Sequence, residues 1–127
     1  MTFEHFALNV ADARAMAAWY VAHLGFRIVR QIDTAPFTRF LADETGRPVI
    51  EIYTNPGAPI PERRSQPPLC FHFAVTSSDA RVDRTRLEAA GATYEIEEVT
   101  SDGSVLVMLR DPWGVPLQLC QRTRPLV

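Results

Sequence analysis

The chain has 127 residues, 46% of them apolar, which is enough for one packed core and too much for a disordered chain. Its formal net charge of −2 gives no electrostatic ground for binding nucleic acid, although all 13 basic residues are Arg. No apolar run approaches the roughly 20 residues that span a bilayer. Two cysteines, Cys70 and Cys120, are too few for a disulfide scaffold, and the opening MTFEHFALNV lacks a basic leader segment, so a cytoplasmic protein is expected.

In chain order, Phe3 to Val10 reads as a strand, followed by Asp12 as a helix cap whose carboxylate can accept free backbone N–H groups. Met16, Trp19, Tyr20 and Leu24 recur at helical spacing, and Gly25 supplies the stop. Residues 26–31, 37–42 and 48–54 read as three strands, with Asp43 to Gly46 turning between the last two. Residues 55–68 hold five of the ten prolines and predict a stiff, exposed connector with Arg63 and Arg64 in solvent. The order then repeats: strand 69–75, cap Asp79, helix 81–90, stop Gly91, and strands 92–98, 105–110 and 115–121. The expected organisation is a first module over 1–55, a connector over 56–68 and a second module over 69–122.

The repeat carries chemistry. Glu51 follows His5, and Gln118 follows His72, by the same 46 residues, and EHFALNVADA resembles FHFAVTSSDA around the two histidines. Strand alternation places His5, Glu51, His72 and Gln118 opposite the apolar faces of their strands, with Tyr53, Cys70 and Cys120 beside them. A single histidine on a strand is ordinarily a hydrogen-bonded structural residue. Four polar residues in matching places of a duplicated unit favour a divalent cation as their shared partner, since ionisable groups are costly to bury alone. Two imidazoles, a carboxylate and an amide oxygen suit Ni, Zn, Co, Fe or Mn.

The words HFALNVAD, WYVAHLGF, VIEIYTNPG, HFAVTSSD and DPWGVPLQL make the chain resemble the vicinal oxygen chelate superfamily, also called the glyoxalase, bleomycin resistance and dioxygenase group. The resemblance covers nearly the whole chain. It implies an α+β fold of two tandem βαβββ modules forming a curved half-barrel sheet with helices on the convex face. It implies four metal-ligand positions at His5, Glu51, His72 and Gln118, a small-molecule substrate and a homodimer. Glyoxalase-like members carry His, Glu, His and Glu in that order, so Gln118 departs from the pattern. The activity implied is a metal-dependent lyase or isomerase acting on a substrate that chelates through two adjacent oxygens.

An amide cannot accept a proton near neutral pH, which leaves Glu51 as the general base. Trp113, in the Asp111 to Gly114 turn, is a further pocket candidate. Two other readings fit the same family: a metal-free binder of a drug or metabolite, and an Fe(II) extradiol-type dioxygenase with an altered ligand set.

Overall fold

The computed structural model describes all residues, Met1–Val127, as two compact units, Met1–Pro61 and Glu62–Val127. Each unit is one βαβββ module, and the α+β reading holds.

In the first unit, β1 (Phe6–Asn9) leads to α1 (Ala13–Leu24), then β2 (Arg27–Gln31), β3 (Arg39–Ala42) and β4 (Pro48–Tyr53). The helix starts where Asp12, in an extended conformation, accepts the N–H groups of Arg14 and Ala15. Thr54 Oγ1 accepts the Ala13 N–H at 3.0 Å and so ties the helix start to the end of β4. Gly25 ends the helix with φ 72°, a left-handed conformation that glycine adopts without a Cβ clash. Ala13, Met16, Ala17 and Tyr20 form the buried stripe, at the spacing of one helix face. Complete burial of a side chain the size of Met16 contributes about 1.5–3 kcal/mol. Trp19 is half-buried, with its ring 5.1 Å from that of His23.

The sheet runs β1-β4-β3-β2, with β1 and β4 parallel and the other pairs antiparallel. Leu8, Leu41, Ile50 and Ile52 lie buried on one face with the helix stripe. Ala7 pairs with Glu51, Glu51 with Phe40, and Phe40 with Arg30, so one row of alternate side chains crosses the opposite face.

The second unit repeats this plan with β5 (Phe73–Thr76), α2 (Ala80–Ala89), β6 (Thr93–Val99), β7 (Val105–Arg110) and β8 (Pro116–Gln121), in the sheet order β5-β8-β7-β6. Asp79 caps α2 through the N–H groups of Arg81 and Val82. Gln121 Oε1 takes the place of the Thr54 hydroxyl, accepting the Ala80 N–H at 2.9 Å. Phe73, Leu87, Val107, Leu109, Leu117 and Leu119 are buried. The equivalent row is Ala74, Gln118, Met108 and Ile96. Even the irregularities correspond, since β2 is interrupted between Ile28 and Arg30 and β6 between Tyr94 and Ile96.

Three expectations need correction. Strand pairing begins at Phe6 and Phe73, so His5 and His72 stand immediately before their strands instead of within them. Residues 68–70 form a turn closed by the Cys70 N–H on the Pro67 carbonyl at 2.9 Å, so that donor is used within the turn and not in a ladder. Arg63 to Gln66 belong to the second unit: Arg63 is half-buried, the Arg110 side chain donates to the Arg63 and Gln66 carbonyls, and Arg64, exposed as expected, donates through Nη2 to the Pro112 carbonyl. No helix is long and apolar enough to cross a membrane.

Candidate functional site

The row opposite the helix carries the polar residues of each module. In the first, His5 Nε2 lies 3.2 Å from Glu51 Oε2, and both side chains are partly open, at 24% and 21% exposure. Phe40, the cross-strand partner of Glu51, meets the His5 ring edge-on with centroids 5.5 Å apart. The other imidazole nitrogen, Nδ1, is buried without a hydrogen bond. Glu4 Oε2 comes within 2.7 Å of it, close enough for an ion pair but off the line a hydrogen bond needs.

These atoms can be tested against a metal. Two ligand atoms each about 2.1 Å from one ion stand about 3.0–3.4 Å apart for bond angles between octahedral and tetrahedral. The His5–Glu51 separation falls in that range, and an imidazole with a carboxylate is an ordinary donor pair for a divalent ion. His5 and Glu51 therefore fit as one donor pair for such an ion. Neither module by itself arranges three His, Cys, Asp or Glu side chains so that they could hold a metal ion.

In the second module, His72 is exposed and its Nδ1 lies 3.0 Å from the Pro68 carbonyl oxygen. A carbonyl can only accept, so Nδ1 is the donor, and in the neutral ring Nε2 then keeps its lone pair. Gln118 occupies the register position of Glu51, beside Ala74 and Met108. Its Oε1 accepts a hydrogen bond from the Cys120 thiol at 3.4 Å, leaving a second lone pair on that oxygen. Burial pushes the Cys120 thiol pKa up, so the group is a proton donor and not a thiolate nucleophile.

The remaining candidates divide. Tyr53 lies half-buried at the end of β4, two positions from Glu51 and so on the same face. Cys120 shares the face of Gln118. Cys70 is exposed on the turn before β5. Trp113 is half-buried in a turn whose Asp111 carboxylate accepts the N–H groups of Trp113 and Val115, both at 2.9 Å. Phe40 and Met108 were missed on the sequence because Phe40-Leu41-Ala42 and Val107-Met108-Leu109 are continuous apolar runs. Such runs do not show which residue faces the helix. Only the register with Glu51 and Gln118 does.

The sequence profile of the Glyoxalase/Bleomycin resistance protein/Dioxygenase superfamily matches residues 2–119. The chain belongs to this superfamily. Among solved structures it is similar to SMU.1112c, with 26% identity, 94% of this chain and 98% of that one covered, and a TM-score of 0.70. The glyoxalase family protein from Enterococcus faecalis is 24% identical, with 94% and 96% covered and a TM-score of 0.70. TnmS3, an antibiotic binding protein from Streptomyces sp. CB03234, is 19% identical, with 97% of each chain covered and a TM-score of 0.71. No curated protein sequence matches the chain.

Proposed function

We propose that the chain is a divalent-metal-dependent lyase or isomerase of the glyoxalase-like kind, acting on a small substrate with two adjacent oxygens. The observation that carries this reading is the 3.2 Å approach of His5 Nε2 and Glu51 Oε2 on a row that recurs, register for register, in the second module. His5 and Glu51 of one module, with His72 and Gln118 of a second module from the same chain or a paired copy, would hold the ion. Bound there, the ion would supply Lewis-acid polarisation of the substrate oxygens.

Everything else falls to side chains of this protein. His5 and His72 each present an imidazole nitrogen as a neutral ligand. Gln118 contributes no charge, so the four residues carry one carboxylate instead of two. Glu51 is therefore the group that can take a proton from the carbon next to the polarised oxygens and return it to a neighbouring one. Phe40, packed on His5, restricts rotation of the ring.

Deuterium wash-in tests this. The metal-loaded protein, incubated in D2O with a panel of small 2-hydroxy ketones and 2-oxo aldehydes, should catalyse exchange at the carbon beside the carbonyl. Glu51→Gln should reduce the rate by 10²-fold or more. Exchange that survives Glu51→Gln removes Glu51 as the base, and no exchange with any of the panel removes the reaction class.

A second reading is a metal-free binding protein for a drug or metabolite. It is favoured by the neutral Gln118, whose amide oxygen is engaged by Cys120. Ligand binding unchanged in a His5→Ala, His72→Ala double variant would select it.

A further inference from the structure

We infer that residues 63–70 act as a strap that fixes the ring tautomer of His72, and that Arg110 is the positioning residue that anchors the strap. The inference rests on the reading of His72 as a ligand only for its functional meaning. Its structural content stands separately.

Arg110, at the end of β7, is a buried guanidinium with 7% side-chain exposure. Its Nη1 donates to the carbonyls of Arg63 at 2.7 Å and Gly114 at 3.2 Å, and its Nη2 donates to the carbonyl of Gln66 at 2.8 Å. Nε pairs with Glu95, which supplies the compensating charge that a buried cation requires. Glu95 stands at the irregularity of β6, where the extra residue of a bulge can be aimed away from the ladder. The strap also lies close on the β7–β8 turn. A Cβ at Gly114 would stand 2.5 Å from Arg64 Cγ, so only glycine leaves room for it.

Downstream of this anchor, Pro67 and Pro68 restrict the backbone, and the Pro67 carbonyl closes the turn through Cys70. The Pro68 carbonyl then faces His72 Nδ1 at 3.0 Å. An exposed imidazole would otherwise exchange tautomers freely. Held on this carbonyl, it keeps the proton on Nδ1 and offers Nε2 as a lone pair, the arrangement that orients a ligating histidine.

The first module supplies the contrast. By register, Ala42 and Val29 occupy the positions of Arg110 and Glu95, so that module has no such clamp. Its histidine Nδ1 correspondingly meets no backbone carbonyl and has only the side chain of Glu4 beside it, at 2.7 Å and without hydrogen-bond geometry.

The test reads the ring nitrogens directly. The metal-free, full-length protein with 15N-labelled histidine is examined by NMR at about pH 8.5, two units above the ordinary histidine pKa. In the wild type, His72 should be mainly the Nδ1–H tautomer. Arg110→Lys keeps a cation but loses the fork, and should shift the His72 ratio toward Nε2–H by about fivefold, the factor one ordinary hydrogen bond gives. The His5 ratio should not move. A wild-type His72 that is mainly Nε2–H overturns the inference, and so does a folded Arg110→Lys protein with the wild-type ratio. Should circular dichroism show Arg110→Lys unfolded, Pro68→Gly decides, since it keeps the carbonyl and frees the backbone. The same shift supports the strap, and an unchanged ratio refutes it. Titrating Zn²⁺ into the same samples separates the two readings. A tautomer shift without metal binding leaves the strap standing and the metal reading fallen. Metal binding that requires His72, with an insensitive tautomer, gives the reverse.

Discussion

At the residue scale, the central asymmetry is that matching positions hold Glu51 in one module and Gln118 in the other. A carboxylate binds a divalent cation more strongly than an amide does, because the amide brings no charge. Gln118→Glu should therefore tighten binding of Zn²⁺ or Ni²⁺ by about tenfold or more, a factor of the size seen when the surroundings of a metal are altered, as read by calorimetric titration. Unchanged affinity would mean that Gln118 does not contact the ion. The equivalence of His5 with His72 and of Glu51 with Gln118 was readable because the spacing is a property of the chain itself. Phe40 and the clamp made by Arg110 were not, since each depends on cross-strand register or on a distant segment folding back. Cys70 was misplaced for a related reason. Its segment reads as a strand, but the Cys70 N–H closes a turn back on the Pro67 carbonyl.

At the element scale, helix ends and loops carry measurable weight. Gly25 sits at φ 72° with open space around its Cα, so Gly25→Ala costs backbone strain and no clash. The variant should lose about 1 kcal/mol of stability in urea unfolding. The β6–β7 loop is organised by Asp102, which accepts hydrogen bonds from the hydroxyls of Thr100, Ser104 and Thr123 and from the Ser104 N–H. These bonds, the Thr100 hydroxyl first, hold its carboxyl well below the usual carboxylate range. Glu97 is also lowered, by its hydrogen bond from Arg81. Asp83 is lowered too. Burial pushes it up, but the Ser77 hydroxyl and Arg86 together outweigh that effect.

Each depressed carboxyl stabilises the fold fully above its unfolded pKa of about 4. That contribution is lost as pH falls through the folded value. Stability should accordingly drop as pH falls below about 4, and Asp102→Asn should flatten part of that drop while lowering stability at pH 7. An Asp102→Asn protein with the wild-type acid profile would contradict this assignment. The turns at Asp43 to Gly46 and Asp111 to Gly114 were predictable from their Asp-x-x-Gly words, but the convergence of three hydroxyls on Asp102 was not, because Thr123 comes from beyond β8.

At the scale of the whole molecule, duplication is the organising fact. Two βαβββ units share strand order, helix capping and interruption of the second strand. Sequence periodicity was sufficient for this plan because each module buries a helix stripe and alternate strand residues, which the apolar pattern records. The modules differ where function is proposed: Glu51 against Gln118, and a His5 Nδ1 beside the Glu4 carboxylate against a His72 Nδ1 held by a carbonyl. A ligand that binds the folded chain stabilises it by mass action, by about 2.7 kcal/mol at a hundredfold excess over Kd. Saturating metal should thus raise Tm by several degrees, and chelation should reverse the rise.

The most direct measurement is metal stoichiometry by elemental analysis, after equilibration with Ni²⁺, Zn²⁺, Co²⁺, Mn²⁺ or Fe²⁺ and removal of free ion. It compares the wild type with His5→Ala and His72→Ala. The account predicts about one ion per chain in the wild type for at least one of these metals, and a loss of most of it in each variant. A wild type that retains none of the five, or variants that retain the wild-type amount, would contradict it.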